Sequence, residues 1–85
     1  MNLKVGDIVT IKPLEEIAKI ATGYDEKDGS YIFEGYFDFI KEMFKYCGKQ
    51  VEIKEIEEHH YSFPSFRIKE DGGEYSWIGD WFARP

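Results

Sequence analysis

The stretch Ser65-Phe-Arg-Ile-Lys-Glu-Asp-Gly-Gly-Glu-Tyr-Ser-Trp-Ile78 decides the fold class. Phe66 and Ile68 alternate with polar neighbours, and Tyr75 and Trp77 alternate again after Asp71-Gly72-Gly73. Period two on both sides of residues that accept positive φ predicts a hairpin with strands at 65–69 and 74–78. Upstream, Gln50 to Ile56 alternates at Val51 and Ile53 and loses phase at Ile56, which marks a bulge or a strand end. Downstream, residues 79–82 have room for a single 3₁₀ turn that tucks Trp81 and Phe82 under the sheet. Residues 3–12 read as another strand, with Val5, Val9 and Ile11 in one parity behind a Gly6-Asp7 entry turn.

Between these strands the signal changes. Pro13 ends the first ladder because it has no N–H to donate, and Leu14, Ile17, Ala18 and Ala21 follow at helical spacing. Residues 23–35 hold three glycines and four acids around a Lys27–Ser30 turn, so a short irregular hairpin is expected. In residues 36–47, Tyr36, Phe39, Ile40, Met43 and Cys47 form an apolar stripe that predicts a packed helix, capped by Gly48. The predicted core is Val5, Val9, Ile11, Ile40, Phe44, Val51, Ile53, Phe66, Ile68, Tyr75 and Trp77.

Composition limits the function. Eighty-five residues support one domain, hiding about 60–65% of the surface of the unfolded chain. Phe 7, Tyr 6 and Trp 2 make up 18% of the chain, enough for a core without staples. Asp+Glu 17 against Lys+Arg 11 leaves a net charge of -6, which argues against binding a phosphate backbone. A single cysteine excludes an internal disulfide, and no apolar run approaches membrane-spanning length. Nothing from Met1 onward resembles a secretory leader, so a cytoplasmic protein with no membrane association is expected.

Three blocks carry a family resemblance: Val5-Gly-Asp-Ile-Val-Thr-Ile11, then Met43 to Ile53, then Phe66 to Trp77 closed by Asp80-Trp81-Phe82. Together they resemble the small SH3-like barrel proteins of phages and prophages, which are similar to single Mind bomb-type repeats. The resemblance covers roughly half the chain, mainly its ends. It implies a mainly β (α+β) domain over residues 1–85, a barrel of four or five antiparallel strands with one or two inserted helices. It also implies a mobile-element setting, hence the host cytoplasm, and it brings no known active site. Residues 13–47 depart from the family pattern as a helical and loop insertion.

Candidate chemistry is sparse. His59-His60 between acids invites a metal reading, but adjacent histidines on an extended chain point to opposite faces. Cys47 lacks a nucleophile motif and suits a small buried position. The acids read as a solvating surface rather than a catalytic pair, no phosphate loop precedes a helix, and no cofactor is expected. The chain therefore reads as a non-enzymatic binder. Eight aromatics crowd into residues 24–46, and between Asp25 and Asp38 the acids Asp25, Glu26, Asp28, Glu34 and Asp38 stand against Lys27 alone. The expected partner-binding residues are Tyr24, Asp25, Glu26, Asp28, Tyr31, Phe33, Glu34 and Tyr36. The expected partner is a protein, such as a host nucleic-acid enzyme whose basic groove is blocked, as anti-CRISPR and anti-restriction proteins do. The alternative is a small barrel binding single-stranded nucleic acid by base stacking, for which Lys41, Lys45 and Lys49 could line one face at spacing four, interrupted by Asp38 and Glu42. A monomer and a homodimer, the latter through the 36–47 stripe, are both compatible with the sequence.

Overall fold

The computed structural model describes residues 3–58 and 61–83. Five strands form one antiparallel sheet: β1 (Ile8–Ile11), β4 (Gln50–Glu57), β5 (Ser65–Ile68), β6 (Trp77–Ile78) and β7 (Phe82–Ala83), in the order β6-β5-β4-β1-β7. A second sheet holds only β2 (Gly23–Asp25) and β3 (Ser30–Ile32), and the helix α1 spans Leu14–Ile20. The main sheet is open, with β6 and β7 at its edges. The chain crosses from one edge to the other in a 3₁₀ turn, Gly79–Trp81.

β4 organises the sheet because its two halves serve different neighbours. Val51 and Glu52 pair with Val9 and Ile8, whereas Ile53 and Glu55 to Glu57 pair with β5. The register shifts between Ile53 and Glu55, leaving Lys54 as the extra residue. Such a bulge bends the strand and increases its twist, so β4 turns from one half of the sheet to the other. The loss of phase at Ile56 in the sequence is the trace of this bulge.

The side-chain alternation holds where the ladder is continuous. Val9, Ile11, Val51, Ile53, Phe66, Ile68 and Trp77 are all buried. Val5 is a correction: it is 62% exposed, because the chain turns at Gly6 (φ 94) and β1 begins only at Ile8. Ile40, Phe44 and Tyr75 are half-buried against the core rather than inside it.

The 74–78 strand shrinks to Trp77–Ile78, and Asp71 explains why. Its Oδ1 accepts from the Gly73 and Glu74 amides at 2.8 and 3.1 Å, and its Oδ2 accepts from the Tyr75 amide at 3.3 Å and the Trp77 indole Nε1 at 2.9 Å. One carboxylate gathers donors that a hairpin ladder would otherwise claim. Gly72 and Gly73, both at positive φ, let the chain curl around it.

The 36–47 helix is a second correction. Only Lys41–Tyr46 is helical, and it is 3₁₀. Before it, Phe39 exchanges both backbone bonds with Tyr31, at 2.9 and 2.8 Å, so this segment lines up beside β3 as an isolated bridge. Aromatic residues are modest helix formers, and tertiary burial of Phe39 outweighs the helical pattern. The apolar stripe is accordingly divided: Phe39 and Met43 are buried, Ile40 and Cys47 are half-buried, and Tyr36 is 47% exposed. It offers no continuous helical face for a homodimer.

Two buried polar atoms have no hydrogen-bond partner among the described residues, Ser65 Oγ and Trp81 Nε1. A buried hydroxyl without a partner costs on the order of 1–3 kcal/mol. Ser65→Ala is therefore expected to leave stability unchanged or raise it, and Asp71→Ala to lower it by about 2–3 kcal/mol through loss of its four donors. Urea titration followed by tryptophan fluorescence checks both; a Ser65→Ala loss above about 1 kcal/mol would contradict the first.

Candidate functional site

The expected partner-binding residues do not form one surface. Asp25 is the pivot of the β2–β3 turn, its Oδ1 accepting from the Lys27 amide at 2.9 Å and the Asp28 amide at 3.4 Å. Glu26 and Asp28 are exposed at the tip of that turn. Tyr24 lies 4.9 Å from Tyr31, and Tyr31 lies 5.9 Å from Phe44, so these rings step from the surface towards the core. Phe33 is a core residue, 5% exposed and set edge-on 5.4 Å from Trp81, so its ring is not available to a partner. Glu34 and Tyr36 belong to a different face.

That other face is a ridge of four rings. Tyr36 lies 4.6 Å from Phe63, and Phe37 lies 5.5 Å from Phe63 and 4.9 Å from Tyr61. Tyr61 stacks on Phe63 at 5.4 Å with 16° between the planes. Tyr36 and Phe37 come from the segment between Phe33 and Phe39, whereas Tyr61 and Phe63 come from the β4–β5 connection. The ridge thus joins the inserted segment to the main sheet. Unlike the core rings it meets water: Tyr61 is 52% exposed, and Phe37 and Phe63 are half-buried.

Beside the ridge, Tyr36, Phe63, Pro64, Ile78, Gly79 and Asp80 line a cavity of about 170 Å³. Asp80 is its one acid among the described residues, and in sequence the exposed Glu34 and Asp38 flank Tyr36-Phe37. Sequence reading missed Phe37, Tyr61, Phe63, Pro64 and Asp80. The available signal was the recurrence of aromatics at 36–37 and 61–63, two segments whose pairing only the fold reveals.

A second hollow, about 310 Å³, lies at Lys27, Asp28, Ser30, Ile40, Lys41 and Glu42. It mixes two cations with two carboxylates, so it has no single sign with which to select a ligand. Lys41 lines this hollow together with Asp28 and Glu42.

No group of three or more His, Cys, Asp or Glu side chains among the described residues is placed to hold a metal ion. The His59-His60 reading lies outside the described residues. Several acids are already engaged in structural contacts: Asp71 and Asp25 hold turns, Glu57 pairs with Arg67 at 2.9 Å, and Glu52 pairs with Lys69 at 2.7 Å. No helix among the described residues is long and apolar enough to cross a membrane. No family model, curated protein or solved structure matches the chain.

Burial pushes the Cys47 thiol above its ordinary range. A raised pKa reduces the thiolate present at any given pH, and the thiolate is the nucleophile. At pH 8 the native thiol is expected to react with Ellman's reagent severalfold more slowly than the urea-unfolded chain. Equal rates would show that burial does not restrain it.

Proposed function

We propose that this chain is a non-enzymatic interaction protein on an SH3-like barrel, and that it docks on a basic protein surface through the Tyr36–Phe37–Tyr61–Phe63 ridge. The barrel reading is supported by the β6-β5-β4-β1-β7 order, by the bulged β4 shared between two sheet halves, and by the 3₁₀ turn between the edge strands. The family resemblance of residues 5–11, 43–53 and 66–82 points the same way and adds a mobile-element setting. In that setting a host nucleic-acid enzyme with a basic groove is the partner class, and inhibition by occlusion is the mode of action.

The observation that carries the docking reading is the ridge itself. Four rings packed in a chain of contacts, all of them exposed or half-buried and drawn from two separate segments, form a contiguous aromatic surface, the kind of patch that marks an interaction site. Tyrosine and phenylalanine in such a patch supply most of the energy of a protein interface. Asp80 beside the ridge, the exposed Glu34 and Asp38 in the same chain segment as Tyr36-Phe37, and the net charge of -6 would speed encounter with a basic partner and make it salt-sensitive.

The test is capture from the native host with the wild-type chain and with Tyr36→Ser, both checked for folding by thermal melts. Enrichment of one basic protein, weakened about tenfold or more by Tyr36→Ser and by raised salt, is the expected result. A partner retained by Tyr36→Ser but lost on reversing Glu26 and Asp28 to lysine would move the site to the β2–β3 turn. Salt-sensitive binding of a short single-stranded oligonucleotide would replace this reading with the nucleic-acid one.

A further inference from the structure

We infer that the cavity beside the ridge is an arginine pocket, reading one guanidinium of the basic partner. This rests on the docking reading above and specifies what the site recognises. The cavity, about 170 Å³, is sized for one side chain rather than for a helix or a strand pair. Its lining has two parts. Tyr36, Phe63, Pro64 and Ile78 offer ring faces and aliphatic surface, and Asp80 brings a carboxylate. No ion pair or hydrogen bond among the described residues engages that carboxylate.

Each class of occupant can be weighed against this lining. A purely apolar side chain would cover the rings but gain nothing from the exposed Asp80 carboxylate at the rim. A nucleotide could stack on Tyr36 or Phe63, yet it would bring phosphate towards Asp80 on a chain of net charge -6. A lysine satisfies the charge, but its compact ammonium is strongly hydrated and lacks a flat surface. An arginine satisfies both parts. Its methylene stem can lie along Pro64 and Ile78, and its planar, weakly hydrated guanidinium can stack on a ring and pair with a carboxylate at once. The two lining rings, Tyr36 and Phe63, are 4.6 Å apart and inclined at 56°, so a flat cation is offered two differently angled rings.

The experiment titrates the isotopically labelled full chain with N-acetyl-arginine methylamide at low salt, following backbone amide shifts. The citrulline and lysine analogues, and the Asp80→Asn variant, serve as comparisons. The expected result is saturable movement at Gly79, Asp80 and Tyr36, with a dissociation constant on the order of millimolar, as suits a single side chain. Citrulline keeps the planar shape without the charge and is expected to bind at least fivefold more weakly, as is arginine to Asp80→Asn. Lysine should fall between them. Equal binding of arginine and citrulline, unaltered binding to Asp80→Asn, or shifts confined to another face would overturn the pocket. If Tyr36→Ser still abolishes partner capture while the arginine probe fails, the docking reading stands and the arginine pocket falls. If the probe binds and Tyr36→Ser leaves capture intact, the docking reading falls instead.

Discussion

Phe39, Trp77 and Trp81 meet edge to face in a triangle, with centroids 4.9, 5.8 and 6.0 Å apart and every pair inclined by 79° or more. All three are fully buried. Trp77 belongs to an edge strand, Trp81 to the 3₁₀ turn that links the edges, and Phe39 to the inserted segment. Each such contact contributes about 0.5–1.5 kcal/mol beyond the area it hides. The larger consequence is geometric, since three separate parts of the chain are fixed relative to one another at a single point. Phe33 extends the triangle on one side, and Tyr46, edge-on to Trp77 at 5.8 Å, extends it on the other.

The triangle changes what the inserted residues are. A segment that departs from the barrel pattern looks like an ornament on an independent core. Here it supplies Ile17, Phe33, Phe39 and Met43 to that core. An eighty-five-residue chain has little interior to spare, so the open sheet packs on aromatic rings brought in from outside it. This also accounts for the unusual aromatic content: the rings are divided between a buried nest and an exposed ridge.

Much of the fold was legible because period-two alternation is a direct record of which face is buried. Val9, Ile11, Val51, Ile53, Phe66, Ile68 and Trp77 follow it, and so does the phase slip at the β4 bulge. The short α1 and the terminal 3₁₀ turn were equally readable, from Pro13 and from the cramped spacing of Gly79 to Phe82. Reading failed where a long-range contact outweighed a local pattern. The stripe from Tyr36 to Cys47 has helical spacing, yet Phe39 pairs with Tyr31 and goes into the core. The candidate site was legible only in part, because its residues are distant in sequence. Tyr36 was identifiable within an acidic aromatic run, but nothing local connects it with Phe63 or Asp80.

The segment from Glu34 to Asp38 is held at both ends by buried rings, Phe33 and Phe39, and in its middle by Phe37, which packs against the core, while Glu34, Tyr36 and Asp38 are exposed. Its position is thus set by buried residues rather than by the exposed ones. Substitutions at the exposed positions Glu34, Tyr36 and Asp38 leave the buried anchors in place. On the docking reading proposed above, those three positions would form an evolvable cassette, whose surface can change while the nest beneath it stays the same.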